Sequence, residues 1–237
     1  DHRDLHSFPT RRSSDLTTWV MGLAFIFGIL IAVPVGVISA YRQYSVFDQV
    51  GTFVSMVGYS VPTFFTGLLA IIIFSVKLGW FPSYYDTTLV VTDWSSFVAQ
   101  IRQIVLPVSV LSLFNAAALS RFTRSAMLDN LSADYVRTAR SKGLREKRVL
   151  VRHVLRNSLI PIVTLIALQV PFVFAGALIT EQIFRINGIG QLMISSIHGG
   201  DVPMVQTLSF LIAAITVFFN LVADVVYGML DPRIRYE

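Results

Sequence analysis

Five uncharged apolar stretches, each near or beyond twenty residues, decide what this chain can fold into. The hydrocarbon core of a bilayer takes ~20 apolar residues of α-helix. The spans are placed at about 17–41, 49–76, 102–122, 158–181 and 205–230. Hydrophobic residues make up 54% of the 237 and charged residues 14%, and mean hydropathy is +0.66. A soluble domain of this size carries ~25% charge and cannot hide so much apolar surface. A soluble enzyme, a disordered chain and a nucleic-acid binder are therefore excluded, despite the net charge of +5. The fold class is all-α, a polytopic membrane helix bundle of five transmembrane helices. Pro34, Pro62, Pro161 and Pro171 fall inside the stretches. A packed bundle tolerates them because neighbouring helices and water satisfy the freed carbonyls.

Residues 1–16 differ in kind. They hold three Arg and three Asp, and only Leu5, Phe8 and Leu16 as large apolar residues. They lack the apolar core of a secretory signal, and their Asp residues argue against a transit peptide. The string resembles a translated sequencing-adapter read. It is expected to be a foreign or disordered tail without packed contacts. The remainder, 17–237, forms one membrane domain.

Orientation follows from loop Lys and Arg. Residues 121–156 carry ten, from Arg121 and Arg124 through Arg152 and Arg156, against Asp129, Asp134 and Glu146. That segment is expected on the cytoplasmic side. Alternation places residues 42–48 and the C-terminus inside, and 77–102 and 181–201 outside. Trp80, Phe81, Tyr84, Tyr85, Trp94 and Phe97 in the first outer loop suit the headgroup level. Five spans put the two ends on opposite sides. An outside start normally follows an earlier crossing, so a first helix is expected to be missing.

The basic loop, 123–157, has internal order. Ser132 can cap a helix over Ala133–Lys142, with Asp134 in its first turn. Gly143 supplies the left-handed residue that ends it. A second helix over Leu144–Asn157 returns toward the membrane. Such an element is the right size to dock in a groove of a soluble partner. Tyr135 and Leu144 are candidate apolar anchors, and Ala139 permits close approach. Charge alone is equally expected of any cytoplasmic loop.

The run Asp134-Tyr-Val-Arg-Thr-Ala-Arg-Ser-Lys-Gly143-Leu144 resembles the "EAA" loop of ABC importer permeases, in the form used by the dipeptide/oligopeptide/nickel group. Leu119–Leu128 is similar to the approach to that loop, and Arg152–Pro161 to its exit. Glu181-Gln-Ile-Phe184 with Gly188-Ile-Gly190 resembles the outer loop of the family. Asn220 to Arg235 resembles its C-terminal signature. The likeness covers 17–237. It departs from the general ABC pattern at Arg137-Thr138-Ala139 and at Leu155-Arg156, as the peptide/nickel branch does. The resemblance implies a type I ABC importer transmembrane domain whose loop docks on a cytoplasmic ATPase. By carry-over, Tyr135, Thr138, Ala139, Lys142, Gly143 and Leu144 form the docking element. It also implies a second permease subunit, identical or not, two ATPase subunits and an extracytoplasmic solute-binding protein. The setting is the bacterial inner membrane.

No G-x-x-x-x-G-K-[ST] is present, so no cofactor is expected on this chain, with ATP and Mg on partner subunits. Catalytic and metal sites are not expected. His198-Gly-Gly-Asp201 reads as a turn rather than a nickel contact. Asn115, Gln169 and Asp224 are the candidate pathway or structural polar residues of the spans, with Glu181 at a helix end. Asp224 lies one turn from Asn220 and near Tyr227, which suits a hydrogen-bonded structural role.

Three functions compete: an importer permease, an ion-coupled secondary transporter or channel subunit, and a membrane anchor. The second wants several intramembrane acids or histidines, and the chain offers about one. The transported solute stays open among dipeptides, oligopeptides, nickel and glutathione.

Overall fold

A computed structural model describes residues 9–175 and 178–230. The expectations for residues 1–8 and for the 231–235 part of the C-terminal signature lie outside the described residues. Within them every regular element is helical: α1 (Pro9–Tyr41), α2 (Val46–Ser60), α3 (Thr63–Ala70), α4 (Trp94–Leu131), α5 (Asp134–Ser141), α6 (Glu146–Arg148), α7 (Arg156–Ala175), α8 (Leu178–Phe184), α9 (Ile189–His198) and α10 (Val202–Leu230). Wide π turns extend α3 over Ile71–Lys77 and join α6 to α7 over Val149–Leu155. Four helical stretches are long and apolar enough to cross a membrane, and five if the bent pair of α2 and α3 is one span.

Several expected boundaries are corrected. α1 begins at Pro9, and Leu16, assigned to the tail, packs against an apolar cluster. Once a helix is nucleated each added residue gains a backbone hydrogen bond, so the apolar span carries its polar N-terminal extension into helix. The second span is not straight. α2 and α3 meet at 101°. Pro62 has no N–H and forces Val61 toward extended backbone. Its own carbonyl accepts hydrogen bonds from the Phe65 and Thr66 amides, restarting the helix at once.

The third span is longer than 102–122, because Asp93 and Ser96 start α4 early. The Ser96 amide donates to Asp93 Oδ1 (2.9 Å), and the Asp93 amide donates to Ser96 Oγ (3.0 Å). This reciprocal cap serves two orphan donors. Hydrogen bonding, chiefly from Ser96, holds the Asp93 carboxyl below its usual range. At the other end α4 runs to Leu131, so the expected loop's first nine residues, 123–131, are still helix.

The chain forms two compact units. The first comprises 1–26, 61–113 and 171–217, the second 27–60, 114–170 and 218–237. In the first, Val20, Met21 and Ala24 of α1 pack with Leu106, Val110 and Leu111 of α4 and with Phe184 and Ile186. In the second, Ala32, Ala116, Leu119, Ala126 and Ile162 form one cluster. Small residues let α1 and α4 approach closely there. A Cβ on Gly36 would stand 2.6 Å from the Ser120 carbonyl oxygen and from Thr123 Cβ. In the membrane such contacts replace the hydrophobic drive that helices lose in lipid. On α10, Phe210, Val217, Phe218, Leu221 and Val225 are exposed.

Candidate functional site

The α5 turn is built from local rules. Lys142 leaves helical geometry, and Gly143 takes φ +71°. The Gly143 amide donates to the Arg140 carbonyl (2.9 Å) and the Leu144 amide to the Ala139 carbonyl (3.4 Å). This pair of bonds is a Schellman stop, and Leu144 packs on the apolar cluster that holds Ala139. Arg140 braces the turn through Glu146 at 2.7 Å.

The helix start differs from expectation. Ser132 does not cap: its hydroxyl donates to the Asp129 carbonyl (2.9 Å). Ala133 holds the N-cap position in extended backbone, without a side-chain bond. Ser132 is consumed in closing α4. The returning helix begins at Glu146 rather than Leu144, because Leu144 and Arg145 are spent on the stop and on extended entry backbone.

The faces of α5 are also sorted differently. Val136 is fully buried and Ala139 is 5% exposed, against Ala40, Met127, Val149 and Val154. Leu144 packs on the same cluster. Ala139 is therefore an inward position that seats the element, and Leu144 is half-buried beside it. Tyr135, Thr138, Lys142 and Gly143 remain exposed. The Tyr135 hydroxyl donates to Asn130 Oδ1, and Thr138 Oγ1 to the Asp134 carbonyl.

Two polar centres stand out: an Asp48–Arg124 pair that the sequence did not announce, and Glu181, expected only as an acid at a helix end. In the second unit Arg124 grips Asp48 with both arms: Nε to Oδ1 at 2.6 Å and Nη2 to Oδ2 at 2.8 Å. Asp48 also accepts from the amide of Tyr44, which sits at φ 63°. So Arg124 is neutralised by an acid from outside the basic segment, and Arg121 and Arg124 both belong to α4 rather than to a loop. Asp48 lies 76 positions before its partner, and nothing in its neighbourhood announced it.

In the first unit Glu181 is wholly buried. Thr17 Oγ1 donates to its Oε1 (2.8 Å), and the Gln191 amide to its Oε2 (3.0 Å). The Ile189 amide in turn donates to Thr17 Oγ1 (2.8 Å). Thr17 and Glu181 thus cap the start of α9. The position suits an anion, since the first amides of a helix point outward unpaired and carry its positive pole. Gly188 and Gly190 make room: a Cβ at either would stand 2.3 and 2.8 Å from Glu181 oxygens. The Gly188-Ile-Gly190 spacing was the available signal.

A model of the family "Binding-protein-dependent transport system inner membrane component" matches residues 32–236. The chain belongs to this family. The permease is 42% identical to the oligopeptide transport system permease protein AppB of Bacillus subtilis (strain 168), over 93% of this chain and 69% of that protein. It is 41% identical to the di/tripeptide transport system permease protein DppB of Pseudomonas aeruginosa (strain UCBPP-PA14), over 100% and 73%. Among solved structures, an amino acid ABC transporter aligns at TM-score 0.70 and 13% identity, covering 93% of this chain and 94% of that one. The MetNI methionine ABC transporter, in inward-facing form, aligns at 0.68 and 15%, covering 94% and 96%. These two establish the fold, that of an ABC transporter transmembrane domain.

The remaining expected residues of the permease are not brought together. Asn115 lies on α4 and Gln169 on α7, both half-buried. Asp224 and Asn220 are exposed on α10, and among the described residues no hydrogen bond joins them. The Tyr227 side chain lies outside the described residues. The His198–Asp201 segment is a turn: Gly200 takes φ +67°, and Asp201 Oδ1 accepts the Met204 amide (3.0 Å) at the start of α10.

Proposed function

We propose that this permease carries peptides across the bacterial inner membrane by alternating access, driven by ATPase subunits that dock on α5. The relatives named for oligopeptides and for di- and tripeptides favour peptides over nickel. The observation that carries the coupling role is the division of α5. Val136 and Ala139 fix it to the second unit's core, while Tyr135, Thr138, Lys142 and Gly143 stay open to a partner. A seated helix with a free outer face can pass a push from a soluble subunit into α4 and α7 as rigid-body motion.

In this reading residues 121–156 and the C-terminus are cytoplasmic. ATP and Mg are held by the two ATPases. A second permease subunit, the same or different, completes the pathway, and an extracytoplasmic binding protein delivers the solute. The test is uptake of labelled tri-alanine and of nickel by vesicles holding the assembled complex. Tri-alanine uptake that is lost in Lys142→Glu, with normal membrane insertion, is expected. Uptake of nickel alone overturns the substrate, and unchanged uptake in Lys142→Glu overturns the docking face. Labelling of Ser141→Cys from outside intact cells overturns the orientation.

A further inference from the structure

The geometry points to Arg121 as a carboxylate-recognising residue: it would take the C-terminal carboxylate of a transported peptide. This rests on the peptide reading above. Arg121 directly follows the uncharged run Gln103–Ser120. Its guanidinium lies 4.7 Å from the centroid of the Tyr59 ring. That ring stacks on Phe114 at 5.6 Å and 14°. Phe114 and Arg121 are seven residues apart on α4, so they share a face. Gly58 lets α2 approach that face: a Cβ there would stand 3.5 Å from Ala117 Cβ.

The platform holds the cation but leaves its hydrogen bonding unused. Arg124 nearby spends its fork on Asp48. Arg121 makes no hydrogen bond or ion pair among the described residues, and its buried Nε has no acceptor. At the cytoplasmic end of a span, a guanidinium with no acceptor on its own chain is free to take an anion. Its planar fork matches a carboxylate bidentately, and the aromatic face beneath fixes the plane without competing for the N–H groups. Tyr59 is half exposed and sits in the last turn of α2, just before the helix breaks at Pro62. In a membrane, interrupted helix is tolerated where it is buried in protein or lines a water-filled cavity rather than facing lipid. That favours a peptide carboxylate over a lipid phosphate.

The test uses the assembled transporter without its binding protein, in zwitterionic nanodiscs, with labelled tri-alanine displaced by tri-alanine or by its C-terminal amide. The parent is expected to prefer the free carboxylate by about tenfold or more, the worth of a charge-assisted pair. Arg121→Gln is expected to lose that preference, and Arg121→Lys to lose most of it, since an ammonium offers no fork. Arg121→Lys decides alone where Arg121→Gln does not assemble. Tyr59→Phe keeps the ring and is expected to keep the preference. A parent with no preference, or one that binds neither ligand, overturns the inference. So do variants that keep the preference. Loss of the parent's preference when phosphatidylglycerol is added assigns the guanidinium to lipid phosphate and also overturns it. A parent that fails to take up tri-alanine in vesicles removes the peptide reading as well; one that takes it up while the Arg121 variants keep the preference removes only this inference.

Discussion

The α5 turn and the Glu181 junction are both helix termini closed by hydrogen bonds, yet they are made in opposite ways. The α5 stop uses residues within six positions of one another: Ala139, Arg140, Gly143 and Leu144. It stands exposed, braced by an ion pair whose side chains are 44% and 42% accessible. The Glu181 junction joins α8, α9 and a hydroxyl 164 residues away, and it is buried. Local closure on the surface leaves a face free for a partner at little cost. Long-range closure in the interior fixes where α9 begins and tolerates no added atom.

The sharpest contrast comes from adding one methyl group at each glycine. Gly188→Ala forces a Cβ within 2.4 Å of both Glu181 and Thr17, whose positions are fixed by their own bonds. Overpacking and the broken cap together are expected to cost about 3 kcal/mol. A lower thermal midpoint and lower membrane abundance check this. Glu181→Ala, which strands the Thr17 hydroxyl and the Gln191 amide, is expected to match it. A small effect of both would mean the junction is loosely held and the comparison fails.

On α5 the two faces should separate. Ala139→Glu buries a charge against Met127, Val149 and Val154 and is expected to lower stability by about 2–3 kcal/mol. Lys142→Glu, on the outer face, is expected to leave the midpoint within about 0.5 kcal/mol while removing ATPase coupling. Loss of coupling is thus diagnostic only from the outer face. Gly143→Val lies between. No atom stands within 4 Å of a Cβ there, so the whole cost is left-handed backbone, about 1–2 kcal/mol. Circular dichroism melts of the purified permease measure all three.

What could be read in the sequence follows the same division. The existence of five apolar stretches, the Gly143 stop and the turn before α10 depend on neighbours in the chain and could be read there, whereas the ends of the spans could not. The Pro62 break was visible but underrated, since tolerance of proline depends on which neighbours satisfy the freed groups. Val136 and Ala139, three apart on an otherwise polar helix, already marked the inward stripe. Only the core they meet made Ala139 unavailable to a partner. The Thr17–Glu181 and Asp48–Arg124 pairs had no such signal. Their partners are 164 and 76 positions apart, and a single sequence carries no distance between them.

The smallest expected effect tests whether the interior junction also contains local strain. Arg185 follows α8 at φ 52°, in the position where Gly143 follows α5. The same pair of bonds closes it: the Ile186 amide to the Glu181 carbonyl (2.8 Å) and the Arg185 amide to the Gln182 carbonyl (3.3 Å). A left-handed arginine costs about 1 kcal/mol that glycine would not. Its guanidinium lies 5.7 Å from the Tyr84 ring centroid, which returns about 0.5–1 kcal/mol. Arg185→Gly removes both terms and adds unfolded-chain entropy, so the midpoint should barely move, within about 0.5 kcal/mol. Arg185→Ala keeps the strain and loses the ring contact, so it should be the less stable of the two. If Arg185→Gly is clearly stabilising, strain dominates at this terminus. If it is as damaging as Glu181→Ala, the arginine itself holds the junction, and the division between local and long-range closure breaks down at α8.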